Sequence, residues 1–126
     1  MANEISVTAT LAYTNAAQQI ASESISLVNS LFNITGVNYA KGTMLVPTTA
    51  GGKVIPVNDL ATLGWACLKN NDPTNYVDIL TALSGTDIIR LKPGEPALFR
   101  FGSGITAPAA QANTAAVLLE FLILEN

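Results

Sequence analysis

Hydrophobic and polar residues alternate in the first part of the chain, and this alternation predicts β-strands. In residues 4–13 every second residue is apolar: Ile5, Val7, Ala9, Leu11 and Tyr13. A period of two places successive side chains on opposite faces, so this stretch predicts a strand with one buried and one hydrated face. Residues 22–31 show a similar pattern around Ile25 and Leu27, and predict a second strand.

The next segments predict weaker strands. The stretch 39–47, YAKGTMLVP, is apolar enough for a strand, and its Gly42 suggests a β-bulge. Residues 48–53 contain two adjacent glycines and predict a loop, because glycine adopts positive φ at little cost. Residues 54–57 allow only a short edge strand, since Pro56 has no N–H to donate to a neighbouring strand.

The central block, residues 64–101, contains four short apolar segments separated by turn residues. We expect one hairpin between 64–69 and 76–80, closed by the Asn- and Asp-rich turn between them. We expect another between 86–91 and 96–101. The Pro93-Gly94 pair at its tip fits the two central positions of a type II turn.

The C-terminal strand is predicted in residues 115–125, after a small-residue loop at 102–114 with room for a short helix. One face of this strand contains Val117, Leu119, Phe121 and Ile123. The other contains Leu118, Glu120, Leu122 and Leu124. Because both faces are largely apolar, we expect a strand central to a sheet and covered on both sides. One face meets the core, and the other meets a second layer or a neighbouring subunit. We therefore predict a subunit interface at Leu118, Leu122 and Leu124.

These elements predict the fold class. Eight or nine short strands with closely spaced turn signals, and no amphipathic helix, are typical of a sandwich or barrel. We predict an all-β protein, an antiparallel β-sandwich of jelly-roll-like form, in a single domain over residues 1–126.

Composition bears on how the surface is used. Charged residues make up 12% of the chain, about half the usual share, while 49% of the residues are apolar and the net charge is -3. Such a surface favours contact with other subunits; a solvated face rich in Thr, Asn and Ser is the alternative. Six scattered Lys and Arg residues form no basic stripe, which argues against nucleic-acid binding. The apolar runs are too short to span a membrane.

Candidate catalytic and metal-binding residues are few. The chain has no histidine, which removes the commonest general base and metal ligand, so we expect no enzymatic activity, cofactor or metal. The single cysteine, Cys67, is expected to be an inert core residue. Asp72 lies in an oxygen-rich turn that suits weak calcium binding, but ordinary turn hydrogen bonding is favoured. Asp78 and Asp87 are the candidates for a carboxylate pair across neighbouring strands.

Processing signals are also scarce. A single cysteine excludes an intrachain disulfide. The first ten residues contain no basic region followed by an apolar run, so we expect synthesis in the cytoplasm without a signal peptide. In that case the Asn33-Ile34-Thr35 glycosylation triplet is a chance match.

Three segments carry a family resemblance: GWACLKNNDPTNYVDI at 64–79, IRLKPGEPALFRF at 89–101 and AAVLLEFLILE at 115–125. Together they resemble small virion proteins of tailed bacteriophages. The resemblance covers about half of the chain and consists of turns and core strands, so it transfers no functional residue.

The resemblance implies a structural role in the virion. It implies a non-enzymatic head decoration or cement protein that binds the major capsid protein and stabilises the shell, often as a homotrimer. The segments Met1 to Glu4 and Gly102 to Thr114 are further candidates for contacts between subunits. Two alternatives stay open: a host-recognition or carbohydrate-binding module of a tail or fibre, and a head–tail or tail-tube structural protein. An exposed aromatic row would favour the carbohydrate-binding module, and an apolar outer patch would favour assembly.

Overall fold

The structure, a computed structural model, describes residues 5–15, 20–32, 36 and 38–126. Within these residues every regular element is a strand, and the all-β prediction is confirmed. The strands are β1 (Ile5–Asn15), β2 (Ile20–Phe32), β3 (Tyr39–Val46), β4 (Lys53–Val54), β5 (Leu63–Asn70), β6 (Val77–Leu80), β7 (Asp87–Leu91), β8 (Pro96–Arg100), β9 (Ala109–Ala112) and β10 (Val117–Glu125).

The chain divides into two compact units, residues 1–35 and residues 36–126. In the first unit β1 and β2 form an antiparallel two-stranded sheet, as the alternation predicts for these two stretches. Its register sets Leu11 opposite Ile25 and Ala9 opposite Leu27. Positions that the sequence assigns to an apolar face therefore pair with each other. The assignment of the whole chain to one domain stays a prediction.

The second unit is an antiparallel sandwich of two four-stranded sheets. The first sheet has the strand order β3-β10-β5-β8, and the second has the order β4-β9-β6-β7. The pairs β3–β10, β4–β9, β5–β8 and β6–β7 are nested, as if one long hairpin were rolled up. This connectivity is that of a double-sheet jelly roll, as predicted.

The core lies between the two sheets. Inward-facing side chains of the first sheet, such as Leu68 and Leu119, pack in one cluster with Val77 and Ile79 of the second, and all four are fully buried. Burying one Leu or Ile side chain stabilises a fold by about 1.5–3 kcal/mol relative to exposing it. The alternation of apolar residues along each strand therefore determines which face turns inward.

Both predicted hairpins of the central block are wrong. β5 pairs with β10 and β8, whereas β6 pairs with β7 and β9, so residues 64–69 and 76–80 lie in different sheets. The same is true of β7 and β8. Turn residues reverse the chain equally well within a sheet and between two stacked sheets. The turn chemistry itself is confirmed: Gly94 has φ 77°, and Glu95 N donates to Lys92 O at 3.0 Å.

Two smaller expectations are also corrected. The segment 102–114 contains β9, because its alanines, although poor strand formers, are small enough to be buried between β4 and β6. Gly42 is not in a bulge, since the β3–β10 register runs through it without a shift. It lies opposite Phe121, and a Cβ there would make an ordinary van der Waals contact with that ring at 3.5 Å.

Asn70, at the end of β5, joins the two connections that cross between the sheets. It is fully buried, and its Nδ2 lies 2.8 Å from Asn75 O, 3.0 Å from Leu91 O and 3.1 Å from Lys92 O. Its Oδ1 accepts a hydrogen bond from Asp72 N at 2.8 Å. One side-chain amide thus satisfies buried backbone groups of both connections, which would otherwise be costly to remove from water.

Glu125 plays a comparable part at the end of β10. Its carboxylate is largely buried, with Oε1 accepting from Ala61 N at 2.9 Å and Oε2 from Asn38 N at 3.2 Å. A Cβ at Gly36 would lie 2.3 Å from Glu125 Cγ, so only glycine fits beside this side chain. The carboxylate therefore holds the segments that lead into β3 and β5.

Candidate interaction surface

The first sheet has an outer face that points away from the core. On β10 the alternation is complete: Val117, Leu119, Phe121 and Ile123 are buried, and the residues between them face outward. β10 lies between β3 and β5, so it is a central strand, as predicted. The neighbouring strands alternate in phase with β10. We call the following residues the outer face: Tyr39, Lys41, Thr43, Leu45, Trp65, Cys67, Lys69, Pro96, Leu98, Arg100, Leu118, Glu120, Leu122 and Leu124.

The three residues predicted as a subunit interface lie on this outer face. Leu118 is 42% exposed, while Leu122 and Leu124 are half-buried. Leu118 lies opposite Leu45, which is 61% exposed, and Leu124 lies opposite Tyr39. Large apolar side chains are therefore adjacent across the β3–β10 pair. Their contact with another subunit stays a prediction.

A row of mainly apolar side chains crosses the whole sheet. By register it runs from Lys41 on β3 through Leu122 and Cys67 to Leu98 on β8. A shallow groove of about 280 Å³ lies along it, with Leu122, Cys67 and Pro96 among its lining residues. The expectation that Cys67 is a core residue is wrong: its thiol side chain is exposed on this face. Odd-numbered β5 positions point outward here, and the sequence alone did not settle their phase.

Charges on the outer face are few and of both signs. Glu120 lies between Thr43 and Lys69 in the register, and its Oε2 accepts a hydrogen bond from Asn71 Nδ2 at 3.1 Å. Arg100, at the end of β8, donates to the side chain of Asn126. Lys41 thus stands at one end of the row and Glu120 beside it on the central strand β10, while the middle of the row, Leu122 and Cys67, has no charge.

The second sheet has a different outer surface. Its corresponding row, Gln111–Asp78–Arg90, is polar on all three strands. Arg90 Nε lies 2.7 Å from Asp78 Oδ1, and the guanidinium carbon lies 3.9 Å from the centre of the Tyr76 ring. Hydrogen bonding to Asp78 raises the pKa of Arg90 above its ordinary value. These side chains therefore satisfy one another's charges and hydrogen bonds.

Similarity to known proteins does not identify the surface. Comparisons with protein families, curated proteins and solved structures found no match. What the outer face binds must therefore follow from its own chemistry. That chemistry is a mainly apolar patch on a four-stranded sheet, with four charged side chains placed among the apolar ones.

The aromatic residues give no row on a described surface. Phe101 and Phe121 are buried, and Phe99 packs edge-on against Phe101 with ring centroids 4.9 Å apart. Core packing, the use expected of Trp65, Tyr76 and these rings, is confirmed for the three phenylalanines only. Trp65 is half-buried on the outer face, whereas Tyr76 stacks with Arg90 on the second sheet.

The carboxylates singled out in the sequence have structural partners. Asp72 Oδ1 accepts from Asn75 N at 2.6 Å and from Thr74 N at 2.8 Å, which is the favoured turn role. These backbone hydrogen bonds, led by that of Asn75, lower the pKa of Asp72. Asp78 pairs with Arg90, and Asp87 lies opposite Leu80, so the two carboxylates are not cross-strand neighbours.

The remaining sequence candidates fall into two groups. Met1 to Glu4 and the triplet 33–35 lie outside the described residues. Within 102–114 the alanines of β9 are buried and residues 102–104 are exposed, and the contact of this segment with another subunit stays a prediction. No group of three or more metal-ligating side chains occurs in the described part of the chain, and no helix there is long and apolar enough to cross a membrane.

The buried hubs Asn70 and Glu125 were missed by the sequence reading. Asn70 was assigned to a turn and Glu125 to a strand end, and their types alone suggest solvent exposure. For Glu125 a usable signal is its position at the inward phase of the otherwise apolar β10, whereas the unsettled phase of β5 leaves no such signal for Asn70. Both residues stabilise the fold and lie apart from the apolar row.

Proposed function

We propose that this chain is a non-enzymatic structural protein of a tailed-bacteriophage particle, a head decoration or cement protein that binds the major capsid protein. The observation that supports it best is the apolar outer face of the first sheet, with Leu45 and Leu118 exposed side by side. Such a patch is costly to leave in water and marks a protein contact. The motif resemblance supplies the virion setting.

The proposed mode of action is mechanical. The first sheet places apolar side chains of four adjacent strands on one surface, and that surface is buried when the protein lies on the shell. Apolar burial stabilises such contacts by about 25 cal/mol per Å² before the costs of association. Charges on this face, such as Lys41 and Glu120, then help to select the orientation of the partner.

A substitution on the apolar row tests the use of this face. Replacing Leu122 with Asp places a carboxylate in the middle of the row, and we expect loss of particle binding and of self-association. Leu83→Asp is the matched control, because Leu83 is 54% exposed and lies outside the first sheet. Normal binding by Leu122→Asp, or equal loss in both variants, would contradict the assignment of this face.

A localisation experiment tests the virion role itself. Particles purified from a lysate that contains the full-length chain are labelled with gold-conjugated antibody and viewed by electron microscopy. Label over the head is the expected result. Label confined to the tail would replace the decoration role with the tail or fibre alternative, and particles without label would overturn both.

A further inference from the structure

The four edge strands of the sandwich differ in how they resist pairing with an added strand. β4 has two residues, β7 has five residues and a register shift in its pairing, and β8 begins with Pro96. β3 has eight residues, contains no proline and pairs with β10 without a shift. Short strands, prolines and bulges are the usual protections of a sheet edge. Among these four edges β3 lacks all three, and the charge of Lys41 is the protection that it has.

The hydrogen-bond phase of β3 shows which backbone groups face its open edge. Glu125 N donates to Asn38 O at 2.9 Å, so this pair bonds across the strands. Bonding alternates along an antiparallel pair, which directs the N–H and C=O of every second residue away from β10. The outward residues are Tyr39, Lys41, Thr43 and Leu45.

The opposite edge of the same sheet gives a contrast. Phe101 N donates to Gly64 O at 3.1 Å, which fixes the phase of β8 in the same way. Pro96, Leu98 and Arg100 then face the open side, and the N–H missing from Pro96 is one of the outward groups. β8 therefore interrupts its own outward row, whereas β3 presents a complete one.

Nothing in the described part of residues 36–126 pairs with the β3 edge. The edge is bordered by an open cleft of about 540 Å³, with Tyr39 to Thr43 on one side and Pro56 to Asp59 on the other. The outward backbone groups of β3 are thus accessible to an added strand within this unit.

We propose that β3 pairs antiparallel with β3 of a second copy of the chain, about a two-fold axis at Gly42. In this register Tyr39 lies opposite Leu45 of the partner subunit, and Lys41 lies opposite Thr43 of the partner subunit. Each outward pair exchanges two hydrogen bonds, so the four pairs give about eight. The first sheets of the two copies become one continuous sheet.

The side chains of β3 select a second copy as the occupant. Tyr39 and Leu45 are the most exposed large hydrophobic residues of the described chain, at 66% and 61%, and they lie equally far from Gly42. In the two-fold register Tyr39 of each copy therefore lies opposite Leu45 of the other copy, which gives two such pairs. Cross-strand pairs of an aromatic and an aliphatic side chain stabilise a sheet. A strand of unrelated sequence would not provide such a pair at both ends of β3.

Neighbouring registers are less favourable. A shift in one direction sets Lys41 opposite Lys41 of the partner subunit, and like charges directly opposite are destabilising. A shift in the other direction sets Lys41 opposite Leu45 of the partner subunit and leaves Tyr39 without a strand residue to face. The register centred on Gly42 alone pairs all four outward residues.

The first experiment removes one outward N–H from the full-length chain. Thr43→Pro lacks the donor that faces the partner but leaves the bonds of residues 42 and 44 to β10 intact. Thr43→Val keeps the N–H and is the matched control. In sedimentation equilibrium we expect the oligomer formed by Thr43→Pro to have half the molar mass of the oligomer formed by Thr43→Val. This holds whether the contact joins two chains or two trimers. Equal masses for the two folded variants would overturn the proposal.

A cross-linking experiment reads the register and does not depend on the proline variant. In a Cys67→Ser background, Lys41→Cys chains are mixed with Thr43→Cys chains in a glutathione buffer. Hydrogen-bonded pairs have Cα atoms about 5.5 Å apart, which suits a disulfide. We expect the mixed disulfide to exceed either homodimer at least tenfold. A statistical mixture of the three disulfide-linked dimers, a dominant homodimer of either variant, or no disulfide at all would overturn the proposed pairing.

These tests are independent of the virion role. Loss of the β3 contact with normal labelling of particles would remove only the two-fold pairing. Correct pairing in a chain absent from particles would remove only the decoration role.

Discussion

The two sheets of the sandwich share a core but differ in what their outer surfaces offer. Across the first sheet runs the row Lys41–Leu122–Cys67–Leu98, and across the second runs Gln111–Asp78–Arg90. The second row is an ion pair flanked by an amide and stacked on Tyr76. The first offers aliphatic surface with no polar partner at its centre. The difference indicates that polar groups on the second sheet satisfy one another, whereas the first sheet exposes apolar side chains between its charged ones.

The largest expected effect concerns the residue that links both sheets. Asn70→Ala removes the buried amide whose Nδ2 lies within hydrogen-bond distance of three carbonyls, one of them buried, and unsatisfied buried groups cost about 1–3 kcal/mol each. We expect the free energy of unfolding to fall by about 3 kcal/mol in urea titrations. Asn71→Ala, an exposed neighbour, should cost less than about 1 kcal/mol. Equal losses of unfolding free energy in the two variants would mean that Asn70 is not a hub that links the two sheets.

A second prediction challenges the contrast between the two faces directly. Leu118→Ser removes apolar surface from the first face, and we expect self-association to weaken by about tenfold or more, since a buried leucine contributes about 1.5–3 kcal/mol. Gln111→Ser on the second face should leave the dissociation constant unchanged. Sedimentation equilibrium of the two variants measures both. A similar loss in each would remove the distinction between the faces.

A third prediction sharpens the account of the polar row. Arg90→Leu breaks the ion pair with Asp78, yet exposed pairs of this kind contribute little to stability. We expect the melting temperature to change by at most a few degrees and the oligomeric state to stay the same. Differential scanning calorimetry with light scattering measures the two quantities. New association through the second sheet would show that Arg90 protects this face.

The smallest expected effect depends on pH. Turn hydrogen bonds lower the pKa of Asp72 in the folded chain. Its negative charge therefore stabilises the fold at pH values above the unfolded-state pKa of about 3.9. This stabilisation is lost as the pH falls through the lower pKa of the folded state. In Asp72→Asn the amide oxygen keeps the turn but has no charge. The stability difference between the two chains should be constant at neutral pH and vanish in strong acid. A difference independent of pH would assign the effect to the turn geometry.

How much could be predicted from the sequence varies with the range of the interactions. Period-two alternation placed the faces of β10 correctly, including Leu118 and Leu122, because it depends only on local geometry. The turn at Pro93-Gly94 was predicted correctly for the same reason. Strand pairing was not, since a reversal of direction does not say which sheet receives the next strand. β9 was missed because alanine has little strand preference and is chosen here for its size.

The nested strand order also determines when the sandwich is able to close. β10 provides the hydrogen-bonding partners of both β3 and β5, although it follows them by tens of residues in the chain. The first sheet therefore stays incomplete until synthesis has passed residue 117, whereas the local β6–β7 hairpin forms earlier. Non-local pairing of this kind folds slowly. Newly made chains thus pass through a stage in which the strand edges of β3 and β5 are both open, and the yield of correctly assembled protein should fall as expression becomes faster.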